Sequence, residues 1–178
     1  NKRIIKEFIA YYFFPYYYFN LDETYVFFIV GRYEFKNKGI DIFIRSLQRL
    51  NERLKSEGSK KTFVVFFWIP REVQSTKSEL ASNKINYHQI KHFLEKQNEK
   101  IIDNIIENSM QCNEMSCFVG DFEKKKVVSD EIIQEIAKLR LHFKKEGKPP
   151  LITHNISNEG NDEIIRALLA SGLDNSYE

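Results

Sequence analysis

The sequence predicts an α/β protein with a parallel sheet and a long helical insertion. Three observations carry this. Two short runs, Thr24–Val30 (TYVFFIV) and Thr62–Ile69 (TFVVFFWI), are β-branched and aromatic without polar alternation. That pattern predicts strands buried on both faces. An amphipathic helical pattern lies between them, in a unit of the length a right-handed parallel crossover needs. The next strand-like run begins only at Leu151, far beyond what a crossover requires.

The elements follow in order. Residues 2–9 alternate Lys and Glu with Ile4, Ile5, Phe8 and Ile9, an amphipathic helix. Residues 11–19 read YYFFPYYYF, eight aromatics around Pro15. Pro15 forbids a central strand or a continuous helix, so the run is expected to pack against a neighbour, with a stacking platform for bases or sugars as the alternative. After the first strand, Gly31–Gly39 forms a polar turn. Ile40, Phe43, Ile44, Leu47, Leu50 and Leu54 then recur at spacings of three and four, one face of a helix that Gly58 ends. Pro70 closes the second strand. Residues 71–82 read as a polar loop and 84–108 as one long helix. Its seam, Ile90, Leu94, Gln97, Ile101 and Ile105, is close to the coiled-coil period. A weak stretch, 109–126, precedes a helix over 130–145 with Ile132, Ile133, Ile136, Leu139 and Phe143 on one side. Leu151–Thr153 predicts a third short strand, and 161–170 a last helix. The expected organisation is therefore an entering helix or linker (1–20), a strand–helix–strand unit (21–70), a helical hairpin insertion (71–147) and a return to the sheet (148–178).

Composition narrows the function classes. Lys plus Arg is 27 and Asp plus Glu is 25, a net charge of +2. A dedicated nucleic-acid binder carries a larger basic excess. Apolar residues are 42% and charged residues 29%, which excludes a disordered chain. No run of apolar residues is long enough to span a membrane, and no signal-peptide pattern is present. Cys112 and Cys117, separated by four residues, are no disulfide scaffold and no zinc knuckle; free thiols in a reducing compartment are the expectation. His88 and His92 are spaced i, i+4, but without further ligands they read as a solvated face. Asn1 opens the chain without Met and a helical pattern precedes its end, so the sequence reads as a piece of something longer.

The turn Gly31-Arg32-Tyr33-Glu34-Phe35-Lys36-Asn37-Lys38-Gly39 holds the most chemistry. It joins a strand to a helix N-terminus, where open α/β sheets place ligands and where backbone N–H groups and the helix dipole favour phosphate. Arg32 leaves the strand end and Lys38 stands at the helix entrance, a fork and a point charge for one anion. Gly39 permits close backbone approach. The alternative is a solvated turn with Asn37 as N-cap and Glu34 neutralising a neighbour.

GRYEFKNKG followed by IDIFIRSLQRLNERLK, residues 31–55, resembles the eukaryote-type glycogen synthases. Their pattern is G-R-Y-E-[FY]-x-N-K-G-x-D-x-[FL]-[IL]-x-[AS]-L-x-[RK]-L-N. The resemblance continues through TFVVFFWIP (62–70) and PPLITHN (149–155), with Asp162 and Gly172-Leu173 in register. It implies a retaining glycosyltransferase of the GT-B fold, this chain supplying the start of its Rossmann-like donor-binding domain. It implies UDP-glucose as donor, an α-1,4-glucan such as glycogen as acceptor, no metal and a cytoplasmic setting. Arg32 and Lys38 match the pair that holds the donor diphosphate and are the candidate catalytic residues. Gly39, His154 and Asn155 join them as candidate donor-binding residues, with a hydrogen-bonded structural role as the alternative for His154. The helical hairpin matches an insertion that builds subunit contacts, so a homo-oligomer is expected, with packing on its own domain as the alternative. The first Rossmann-like domain and the later glutamate-bearing motif have no counterpart in these residues, so the piece alone is expected to be inactive. Competing readings are a non-catalytic helical interaction module and another nucleotide-sugar-binding α/β protein.

Overall fold

A computed structural model describes residues 2–110 and 127–176. Its elements are α1 (Lys2–Phe13), a 3-10 turn (Leu21–Glu23), β1 (Thr24–Val30), α2 (Ile40–Ser56), β2 (Thr62–Trp68), β3 (Val73–Thr76), α3 (Ser78–Lys96), α4 (Asn98–Met110), α5 (Asp130–Phe143), β4 (His154–Ile156), a second 3-10 turn (Glu159–Asn161) and α6 (Glu163–Ala170). The chain is mixed α/β. It divides into two compact units, Asn1–Ala81 with Glu146–Glu178, and Ser82–Lys145.

In the first unit β1 and β2 pair in parallel, Thr24 opposite Thr62 through Val30 opposite Trp68. Side chains alternate across the two faces. Ile29 and Phe67 pack on one face with Ile40 and Ile44 of α2 and Ile164 and Leu168 of α6. Val26, Val64 and Phe66 pack on the other with Ile9 of α1 and Phe19. Each buried Ile or Phe contributes about 1.5–3 kcal/mol of transfer free energy. Helix α2 stops where its sequence says it should. Gly58 adopts φ 60°, its N–H bonds to Lys55 O at 3.1 Å, and Ser59 N–H bonds to Leu54 O at 3.0 Å. This is a Schellman cap, which favours glycine.

The aromatic run packs on the unit's own sheet. Helix α1 continues to Phe13, and Pro15 is buried just beyond it. Phe13, Phe14 and Tyr17 surround the buried Phe19 at ring distances of 5.5–6.1 Å. Tyr12 donates to the Pro150 carbonyl and Tyr17 to the Asn175 carbonyl.

Four expectations are corrected. Strand β1 is not buried on both faces: Tyr25, Phe27, Phe28 and Val30 are exposed. Its sheet has two strands among the described residues, so each β1 side chain lacks a flank on the side away from β2. Residues 71–82 are not a loop; they hold β3 and the start of α3. The third strand lies at 154–156 rather than 151–153. It pairs antiparallel with β3, Thr76 opposite His154 and Ser75 opposite Asn155, in a second sheet and not alongside β1 and β2. Pro149 and Pro150 cannot donate to a ladder, and the Pro150 carbonyl is taken by Tyr12 and by the Asn175 amide at 3.0 Å. Pairing therefore begins only past this anchor. Finally, the helix expected over 84–108 is interrupted at Gln97, whose N–H is shared between Phe93 O at 3.3 Å and Leu94 O at 3.1 Å.

In the second unit the remainder of α3 meets α5, and α4 is tied to the segment before α5. Asn86 Nδ2 donates to His142 O at 2.9 Å and Tyr87 packs on Phe143, while Asn104 Nδ2 donates to Val127 O at 3.2 Å. Helix α5 starts at Ser129, whose hydroxyl accepts from Ile132 N–H at 3.4 Å. It ends at Phe143, two residues short of the expected boundary. Ile132 and Phe143 are buried, whereas Ile102, Ile106, Ile133 and Leu141 are exposed. Among the described residues no helix is long and apolar enough to cross a membrane. Cys112 and Cys117 lie outside the described residues.

Candidate functional site

The turn after β1 is built by its own backbone. Gly31 N–H extends the ladder to Trp68 O at 3.4 Å, and Glu34 N–H folds back to Arg32 O at 2.8 Å. Lys38 N–H then bonds to Glu34 O at 3.0 Å, Gly39 N–H to Lys36 O at 3.0 Å, and Ile40 N–H to Phe35 O at 3.1 Å. Tyr33 and Phe35 turn inward against the Ile40, Ile44, Ile164 and Leu168 cluster. Arg32, Lys36, Asn37 and Lys38 turn outward and are exposed. Inward aromatics thus anchor a loop whose cations face water at the carboxyl end of a parallel strand pair.

Among the described residues neither Arg32 nor Lys38 has an ion-pair partner; Glu34 neutralises neither. Asn37 is not the helix cap either. Gly39 holds that position in the left-handed region, φ 66°, with no side-chain cap. A Cβ there would meet nothing within 4 Å, so the requirement for glycine at this turn is the dihedral angle. The Phe35 carbonyl accepts from both Ile40 and Asp41 N–H, at 3.1 and 3.4 Å. Two of the helix's first amides are therefore engaged by the loop.

His154 and Asn155 stand in β4, apart from the β1–β2 sheet. His154 Nδ1 lies 2.7 Å from the Thr153 hydroxyl, and Asn155 Nδ2 donates to Ser75 Oγ at 2.9 Å. Among the described residues no hydrogen bond joins either to Arg32, Lys38 or Gly39. Two contacts do tie the β4 side of the chain to the turn. Glu163 N–H donates to the Tyr33 hydroxyl at 3.1 Å, and Arg71 lies over the Tyr33 ring while pairing with Asp162. Burial, followed by the Asp162 charge, pushes the Tyr33 phenol above its ordinary value. Sequence reasoning missed Arg71 and the anchoring role of Tyr33. Tyr33 sits inside the nine-residue signature, but no local spacing signals partners at 71 and 162. His88 and His92 lie on α3. Among the described residues no cluster of three or more His, Cys, Asp or Glu is placed to hold a metal.

Fold and turn together define a mixed α/β chain with a strand–helix–strand crossover and unpaired cations at the strand exit. A sequence model described as "Glycogen synthase" matches residues 1–178. The chain belongs to the glycogen synthase family. It is 33% identical to a glycogen [starch] synthase of Neurospora crassa over 170 residues, 94% of this chain and 23% of the relative. It is 33% identical to glycogen [starch] synthase isoform 2 of Saccharomyces cerevisiae over 182 residues, 99% and 25% of the two chains. With the liver glycogen [starch] synthase of Mus musculus it shares 28% identity over 179 residues, 98% and 24%. The chain thus spans about a quarter of the length of the curated relatives it matches.

Proposed function

We propose that these residues begin the donor-binding, Rossmann-like domain of a GT-B glycosyltransferase. It would move glucose from UDP-glucose to the non-reducing end of an α-1,4-glucan with retention of configuration. The observation that carries the reading is the exposed, unpaired Arg32–Lys38 turn at the carboxyl end of β1, within a chain of this family. Arg32 would grip the donor diphosphate bidentately and Lys38 would add a point charge. As the glycosidic bond loosens, negative charge builds on the departing UDP. Cations held there would stabilise that charge. Gly39 would support the turn, and His154 and Asn155 would contribute to the donor site from β4.

Exposed Ile102, Ile106, Ile133 and Leu141 favour the helical unit as a coiled-coil-like contact between copies of the enzyme. The setting proposed with this reading is cytoplasmic. Light scattering of wild type against an Ile106→Glu variant tests that contact; equal masses for both would sink it.

The donor reading is tested by titrating UDP into the full-length protein by calorimetry, with inorganic phosphate as control. Wild type is expected to prefer UDP, and an Arg32→Ala/Lys38→Ala variant to lose at least tenfold in affinity, about 1.4 kcal/mol. Equal binding by both proteins would remove the turn from the donor site.

A further inference from the structure

We propose that Arg71 is a positioning residue for the donor site, clamping the turn that carries Arg32. This rests on the diphosphate reading of that turn. Three segments meet at Arg71. Its guanidinium carbon lies 4.0 Å from the centroid of the Tyr33 ring, and its Nη2 lies 2.8 Å from Asp162 Oδ2. The other Asp162 oxygen accepts from Ile164 N–H at 2.9 Å and Ile165 N–H at 3.1 Å, capping α6. The Tyr33 hydroxyl accepts from Glu163 N–H at 3.1 Å. The Tyr33 ring is thus held on its face by a cation from the exit of β2 and at its hydroxyl by the start of α6.

Asp162 is only 3% exposed. A buried carboxylate needs hydrogen bonds and a counter-charge. The two helix amides supply the first and Arg71 the second. A planar guanidinium can pair with a carboxylate at its edge while its face stacks on a ring; an ammonium has no face to stack and meets a ring only as a point charge. Tyr33 directly follows Arg32. Fixing its ring at two points fixes the backbone from which Arg32 departs. A cation held in place binds a diphosphate without first being ordered.

The test is initial-rate kinetics on the full-length protein, with UDP-glucose and glucan varied separately, and thermal midpoints measured alongside. Arg71→Ala is expected to raise the donor KM roughly tenfold with the acceptor KM unchanged. Arg71→Lys keeps the charge beside Asp162 but not the stack, and is expected to raise the donor KM by less. If Arg71→Ala does not fold, Arg71→Lys decides. Donor KM values within twofold of wild type in the folded Arg71 variants, with Arg32→Ala raising it, would overturn the clamp alone. Equal rises for donor and acceptor would also overturn it. If Arg32→Ala leaves donor KM unchanged, the diphosphate reading falls and takes the clamp with it.

Discussion

Tyr12 lies near the start of the chain yet donates its hydroxyl to the carbonyl of Pro150. Burial first, then the neighbouring Tyr16, Tyr17 and Glu79, push its phenol well above the ordinary value of 10.0. The folded chain therefore keeps this proton at pH values where the unfolded chain has lost it. Its contribution is full below pH 10 and is lost as pH rises toward the folded value. Thermal midpoints measured from pH 9 to 11 should fall less steeply for Tyr12→Phe than for wild type, from a lower starting point. Parallel slopes would mean the phenol is not held neutral. Gly39 has a demand of a different kind. At φ 66° with open space around it, Gly39→Ala is expected to cost about 1–2 kcal/mol through backbone strain alone, read by chemical denaturation. Arg32, Lys38 and Gly39 were legible because strand, turn and helix signals sit side by side in nine residues. Arg71 was not, because a clamp from 33 to 71 to 162 leaves no local spacing to read.

The positions of the first crossover's elements match their sequence readings. Helix α2 runs from Ile40 to Ser56 with Ile40 and Ile44 in the core, and β1 and β2 sit at the two β-branched runs. Helix α6 starts two residues later than the pattern suggests, because Asp162 is its cap. The failures share a cause. Strand β3 reads VQST and is exposed throughout, so no burial pattern marks it; only pairing with β4 makes it a strand. Register between distant segments depends on tertiary partners that periodicity does not record. Ile44 is 1% exposed and touches both α6 and the sheet. Ile44→Ala is expected to lower stability by about 2–5 kcal/mol, measured by urea unfolding with an unchanged m-value. At the start of α5, Ser129→Ala removes the cap from Ile132 N–H and should cost about 1 kcal/mol, with loss of helical signal on warming as the readout.

Two compact units share one chain, and the second interrupts the sequence of the first. Stability need not be uniform across such a molecule. Hydrogen exchange on Ile44→Ala should show faster exchange in β1 and β2 with α5 protection unchanged. An equal loss in both units would mean that they unfold as one block. The division also bears on how the chain is made. Tyr17 bonds to the carbonyl of Asn175, 158 residues later. At roughly 5–20 residues per second, a ribosome takes on the order of 10–30 s to deliver that partner. Throughout that interval one side of the aromatic run has nothing to rest on. Nascent chains stalled at Lys148 should therefore recruit chaperones that grip apolar segments, and chains stalled far enough on for 149–175 to have emerged should release them. Birth order, as much as sequence, decides how long this aromatic surface is exposed to the cell.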